Sequence, residues 1–343
     1  MESNSNGATR PVAKDAEGDG DQRNAINPSE KRNRSPLRTR ATLGPLTKLE
    51  DHVPADWWER QFDALYLKTD GDVVEDADIT RREIDIFLRL LPLNPEAKIL
   101  DLCCGQGRHV LEFCRRGFGK VEGFDRSSFL LSEAKERAKF ERLPARFCEG
   151  DARTLPYATG TFDAVLILGN SFGYFASAED DYAMLQEAHR VLRPAGRLLL
   201  DVTDGEYLKI HYAPRSWEWI DASMFACRER ELSTDGDRLV SREIITDVER
   251  GVVVDRFYAE RLYNSEKLRQ LLTRAGFCLA KVHFDLITGS ARNQDLGMMA
   301  RRIVLTSCKK IVRQRVRAAT RGVALSGRKG IRREVARRIW TTA

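Results

Sequence analysis

The chain has 343 residues, 42% of them apolar, seven cysteines and a net charge of +6. That length suits one large α/β domain with extensions. No apolar run is long enough to span a bilayer and Met1 to Asn24 lacks the apolar core of a signal peptide, so a soluble cytoplasmic protein is expected. No Cys-x-x-Cys pair occurs, which argues against a metal site or a disulfide framework and for reduced, packed thiols.

The charge is uneven. From Lys309 to Ala343 there are twelve basic residues and one acid, whereas the body is net acidic. Phosphate affinity needs cations where the ligand lies, so this distribution argues against one continuous nucleic-acid-binding face.

Residues 1–45 are rich in Ser, Asn, Gly, Asp, Lys and Arg and read as a disordered arm. Its basic run at 31–40 is either a solvated charge cluster or a targeting sequence. Residues 46–96 read as a helical N-terminal lid. Trp57 and Trp58, followed by Phe62, Leu65 and Tyr66 at helical spacing, predict a first helix, which Asp70-Gly71-Asp72 breaks. A second is expected from about Thr80, buried through Ile84, Ile86, Phe87, Leu90 and Leu91, and stopping before Pro92. The aromatics serve core packing or a lid over a site.

From Ala97 strands and helices alternate. Strands are expected at 98–102, 120–124, 145–149, 162–168 and 196–202, and helices at 109–116, 128–141 and 180–192. This order predicts a right-handed, doubly wound, mainly parallel sheet with ligands at the carboxyl ends of its strands. Strands at 224–232, 238–247 and 252–263 then suggest an antiparallel β insert, about 217–263, that either dimerises or covers the site. A helix over 265–275 is closed by Gly276, and a hairpin at 278–285 and 301–307 brings the main sheet to seven strands. Residues 97–308 would form this domain. The tail, 309–343, is basic and either an amphipathic helix on an anionic surface or a solvated or partner-docked helix.

Ile99 to Val110 reads as a buried strand, a glycine turn and a helix whose first amides point at a ligand. Asp125 ends the second strand, where a carboxylate can take both hydroxyls of a ribose. A dinucleotide fingerprint needs a third small residue where Val110 stands. Asp101 would repel a pyrophosphate but attract the ammonium of an amino acid moiety. S-adenosylmethionine combines adenosine with an amino acid and carries no phosphate.

Over roughly residues 57–308 the chain resembles the class I S-adenosylmethionine-dependent methyltransferases, whose fold is Rossmann-like. Asp101-Leu102-Cys103-Cys104-Gly105-Gln106-Gly107 looks like their first motif and Gly123-Phe124-Asp125-Arg126-Ser127 the second. Gly150-Asp151-Ala152-Arg153 is similar to the third and Phe162-Asp163-Ala164-Val165 to the strand-four motif; Leu192 to Leu198 matches the turn into strand five. The resemblance implies that Asp101, Cys103, Gly105, Gln106 and Gly107 hold the methionine part, Asp125 the ribose, and Asp151 with Ala152 the adenine. Arg126 and Leu168 complete the implied cofactor-binding set, and no metal is implied. Cys103 and Cys104 otherwise read as small packing residues.

Leu168 to Phe175 follows strand four and should line the reacting centre. It lacks the Asn/Asp-Pro-Pro-aromatic motif of many nucleic-acid and protein-glutamine methyltransferases. Gly169-Asn170-Ser171-Phe172 is similar to glycine N-methyltransferases, and Phe172-Gly173-Tyr174 to sugar N,N-dimethyltransferases of antibiotic pathways. Thr203 stands where glycine methyltransferases place an arginine for the substrate carboxylate, so a neutral or cationic acceptor is favoured.

In-line displacement on a sulfonium demands alignment more than acid or base. The expectation is methyl transfer to a small-molecule amine, with Asn170 orienting the acceptor through its amide and Tyr66 or Tyr174 touching the sulfonium region. An oxygen acceptor would need a base, for which His211 is the best placed histidine; His109 reads as structural and His189 as buried or capping. The alternative of another class is an RNA- or membrane-associated protein acting through its basic tail.

Overall fold

The computed structural model describes residues 42–278, 280–287, 289 and 297–310. The expectations for residues 1–41 and 311–343, which include nearly all of the N-terminal arm and the basic tail, lie outside the described residues.

Four helices precede the main sheet: Trp58–Gln61 (α1), Ala64–Thr69 (α2), Gly71–Val74 (α3) and Ala77–Leu90 (α4). The predicted helix from Trp57 to Tyr66 is thus two. Asp63 interrupts it because its carboxylate caps α2, accepting from the amides of Leu65 and Tyr66, both at 3.0 Å. Likewise Asp76 caps α4 through the Ile79 amide at 2.7 Å, so that helix starts earlier than Thr80.

The main sheet is built from Ile99–Leu102 (β1), Val121–Asp125 (β2), Arg146–Glu149 (β3), Phe162–Ile167 (β4) and Leu192–Thr203 (β5). The intervening helices are Arg108–Arg115 (α5), Ser128–Glu141 (α6) and Ala178–Val191 (α7). After Gly205–His211 (α8), the strands Arg215–Trp219 (β6), Met224–Leu232 (β7), Arg238–Asp247 (β8) and Gly251–Arg261 (β9) form a four-stranded antiparallel sheet in that order. The predicted meander had three strands; β6, whose Arg215 to Trp219 alternates polar and aromatic residues, is the fourth. Ser265–Arg274 (α9), Lys281–Ile287 (β10) and Arg301–Cys308 (β11) complete the chain.

The main sheet runs β10-β11-β5-β4-β1-β2-β3, with β11 antiparallel to β5 and to β10 and every other pair parallel. This is the doubly wound, Rossmann-like seven-stranded arrangement. β1 is buried along its whole length because helices cover both faces. Two apolar layers result: Leu100, Phe124, Val165 and Leu200 pack toward α7 and α9, and Ile99, Val110, Leu166 and Leu199 pack toward α4 and α5. Among the described residues no helix is long and apolar enough to cross a membrane.

Candidate functional site

At the carboxyl end of β1 the backbone turns through three left-handed residues, Cys103 (φ 65°), Gly105 (φ 55°) and Gly107 (φ 74°). The amides of Cys103 and Cys104 donate to the Phe124 carbonyl at 2.7 and 3.1 Å, which ties the loop to β2. Gly107 has a second constraint: a Cβ there would stand 2.8 Å from the Phe147 ring. The loop is held open by Asp125, whose Oδ2 accepts the Gly105 amide at 2.7 Å while Oδ1 accepts that of Ser127 at 2.8 Å.

These residues border a cavity roofed by the N-terminal helices and walled by Asp151, Ala152 and the segment Ser171–Phe175. Trp58 lies over it, with the Arg126 and Arg153 guanidinium carbons 4.9 and 5.5 Å from its ring centre. Arg126 also pairs with Glu59 at 2.8 Å, and Arg153 holds Asp151 at 2.6 Å. The Arg153 hydrogen bonds keep the Asp151 carboxyl below its ordinary value.

Of the residues expected here, Cys103, Gly105, Asp125, Arg126, Asp151, Ala152, Tyr66 and Tyr174 line this cavity. Four stand behind its wall instead. Gln106 spends its side-chain amide on the Val74 carbonyl (2.8 Å) and Glu75 (3.1 Å), fastening the loop to the lid. Gly107 caps α5, and Leu168 is packed in the core layer beneath. Asp101 is fully buried and neither of its oxygens has a hydrogen-bond partner among the described residues. Burial, with the charge of Asp125 adding to it and Arg108 opposing, pushes its carboxyl up to about 8.

A second cavity abuts the first. Phe62, Tyr66 and Tyr174 line both. Phe62 meets Tyr66 edge-on at 5.1 Å and stacks on Tyr174 at 5.9 Å; Trp57 meets Tyr174 at 5.2 Å. Thr69 and Asp70 form one side, and the inner face of the antiparallel sheet, with Arg228, Glu243 and Tyr258, forms another. Arg228 donates to Glu243 at 2.8 Å and to Glu218 at 2.5 Å, and Arg256 donates to Glu243 at 2.6 Å.

Asn170 borders this second cavity in a left-handed conformation (φ 63°), but its side-chain amide is engaged. Nδ2 donates to Glu260 at 2.7 Å, and Oδ1 accepts the Thr203 amide at 2.8 Å. These two bonds make Asn170 a strut between β5 and β9 at the edge of the cavity. Burial pushes Glu260 up to about 8, and its Oε2 has no partner among the described residues. His211 borders neither cavity: it is exposed on α8, stacks on Tyr207 at 4.1 Å and shares a hydrogen bond with the Tyr207 carbonyl.

A buried ionic chain supports the floor. Asp201 accepts the Gly169 amide at 2.9 Å and pairs with Arg302 at 2.5 Å; Arg302 also pairs with Glu83 of α4, which in turn holds Arg108 (2.5 Å) and His109 (2.9 Å). Against its burial, the Arg108 and Arg302 guanidiniums hold Glu83 well below the usual carboxylate range. Burial pushes Asp201 up to about 6 and His109 down to about 4, so this histidine is neutral and structural.

Asp70, Arg228, Glu243, Tyr258 and Glu260 did not stand out in the sequence. Asp70 read only as a helix break. Alternation in β7 to β9 puts charged residues on one face, but alternation does not say which face another element covers. Trp57 and Trp58 were visible as aromatics, without their assignment to one cavity each.

Comparison with known proteins follows this geometry. A family model described as a methyltransferase domain matches residues 99–196. The putative methyltransferase YqeM of Bacillus subtilis is 30% identical over 203 residues, covering 56% of this chain and 78% of that protein. The demethylmenaquinone methyltransferase of Thermus thermophilus is 39% identical over 121 residues, 35% of this chain and 51% of that protein. The glycine/sarcosine N-methyltransferase of Parasynechococcus marenigrum is 35% identical over 120 residues, 35% of this chain and 42% of that protein. The chain therefore spans about half the length of these last two. In structure, it is similar to an S-adenosylmethionine-dependent methyltransferase of Clostridium acetobutylicum, with a TM-score of 0.56 at 18% identity over 72% of this chain and 96% of that one.

Proposed function

The chain belongs to the class I S-adenosylmethionine-dependent methyltransferases, and from that premise we propose that it methylates the nitrogen of a small molecule held between the lid helices and the antiparallel sheet. One observation carries this reading. Two cavities meet at a wall of three aromatic side chains, Phe62, Tyr66 and Tyr174, which belong to both.

The residues of the first cavity fit the cofactor. Behind its wall, the buried carboxylate of Asp101, both oxygens unpartnered among the described residues, suits an ammonium above the loop. Asp125 spends one lone pair of each oxygen on backbone amides and keeps others for ribose hydroxyls. Trp58 and Ala152 offer flat apolar surface for an adenine. When bound, the cofactor supplies an electrophilic methyl on a positively charged sulfur. The aromatic faces of Phe62, Tyr66 and Tyr174 attract positive charge there, and the hydroxyl-bearing rings set the line along which an acceptor approaches.

Nitrogen is favoured because an ammonium gives up its proton to a base as weak as a carboxylate, whereas a hydroxyl acceptor needs a stronger one, and among the described residues no histidine lines either cavity. The glycine/sarcosine N-methyltransferase among the relatives supports the same acceptor atom. Asn170 acts in this reading by fixing Glu260 and the Gly169 turn.

Incubation of the protein with methyl-labelled S-adenosylmethionine and a metabolite extract tests the proposal. Label on the nitrogen of a small molecule is the expected result. Label on oxygen, or only on protein or RNA, would overturn it.

A further inference from the structure

Asp70 has no part in the reaction as described so far, yet it lines the acceptor cavity beside Tyr66 and Tyr174. It follows the last residue of α2 and makes no capping hydrogen bond to α3. Its Oδ2 accepts the Thr69 hydroxyl at 2.7 Å. The structure gives Oδ1 no partner among the described residues, and the side chain is only half-buried, so this oxygen is available to the cavity.

An aliphatic amine is an ammonium at neutral pH, and its lone pair cannot attack until a proton leaves. We infer that Asp70 is a catalytic residue that binds the acceptor's ammonium group and takes its proton at the aromatic wall. The inference rests on the amine acceptor proposed above.

One N–H bond breaks and its proton goes to Asp70 Oδ1. The freed lone pair forms a bond to the methyl carbon, and the S–C bond breaks with its electron pair remaining on sulfur. The positive charge passes from sulfur to the methylated nitrogen, and the Asp70 proton goes to solvent after product leaves.

The surroundings suit this role. The charged groups facing Asp70 are Asp72 of α3, Glu218 of β6, Arg228 and Arg230 of β7, Glu243 of β8 and Arg256 of β9, with the phenols of Tyr66, Tyr174 and Tyr258. Arg228 and Arg256 clamp Glu243, and Arg228 also holds Glu218, so those two carboxylates are occupied. Burial raises the Asp70 carboxyl, opposed by Arg228 and Arg256 and helped by Glu243. A carboxylate with raised proton affinity is a better partner for an amine proton.

The test uses the full chain, methyl-labelled S-adenosylmethionine and a metabolite extract, with Asp70→Asn and Asp70→Glu beside the wild type. At pH 7, Asp70→Asn should label the amine about 100-fold more slowly, the usual worth of a positioned base, while S-adenosylmethionine affinity by calorimetry stays within about twofold. Its rate should then climb about tenfold per pH unit as the amine deprotonates in solution, a slope the wild type lacks. Asp70→Glu should retain more activity than Asp70→Asn.

Equal losses in both variants at every pH, or an Asp70→Asn rate within about threefold of wild type, would overturn the role of Asp70 and leave the amine reading standing. If the wild type labels no amine, both fall. Where Asp70→Asn melts below the assay temperature, the Asp70→Glu profile decides: a displaced acidic limb supports the inference, and an unmoved one overturns it.

Discussion

Both oxygens of Asp101 are buried without a donor among the described residues, and burial holds the proton on the carboxyl up to about 8. A cationic ligand group favours the ionised form, and binding must therefore expel that proton below pH 8. S-adenosylmethionine affinity should fall by up to about tenfold per pH unit as pH drops below 8, with proton release visible by calorimetry in two buffers. Asp101→Asn should remove that dependence and weaken binding. The same variant should have the opposite effect on the free protein. A carboxyl that ionises near 3.8 when exposed and about 8 when folded loses its contribution to stability as pH climbs between those values. At pH 8 the asparagine variant should thus melt about 2–6 °C higher without ligand. Asp125→Ala should weaken the cofactor by about 1–3 kcal/mol, the worth of charge-assisted hydrogen bonds. Asn170→Ala should instead lower turnover more than cofactor affinity, because it frees Glu260 and the Gly169 turn; equal losses would place Asn170 in the cofactor cavity.

At the scale of elements, the positions of strands and helices follow the hydrophobic pattern closely, while their ends follow capping side chains. Asp63, Asp76 and Asp204 each cap a helix that periodicity alone placed differently or missed. The antiparallel sheet depends on one close contact at its entrance. A Cβ on Gly205 would lie 2.5 Å from the Tyr263 carbonyl oxygen and 2.7 Å from the Leu262 carbonyl carbon. Backbone cannot yield as a side chain tip can, so Gly205→Ala should destabilise the protein by about 1–3 kcal/mol in urea unfolding. No composition or spacing argument singles out Gly205, because the crowding atoms are almost sixty positions away in the chain.

Across the whole molecule, the Glu83–Arg302–Asp201 chain joins an N-terminal helix, the last strand and the turn below the second cavity. Arg302→Ala leaves Asp201 buried without its cation and Glu83 with Arg108 alone, and should cost about 3–5 kcal/mol, read by chemical denaturation. The sequence by itself determined the architecture and the cofactor class. Residues 99–125 carry a buried strand, a glycine turn and two acids in one local order, and local order survives folding unchanged. Tyr66 and Tyr174, each beside a recognisable segment, line both cavities. Only the tertiary structure decided which groups line the second cavity. Asp70 from the lid and Arg228 and Glu243 from the antiparallel sheet are far apart in the chain, and each alone reads as a turn or surface residue. Packing the lid and the antiparallel sheet over the ends of the parallel strands brings them together, and burial rather than residue type gives Asp70, Asp101 and Glu260 their raised proton affinity.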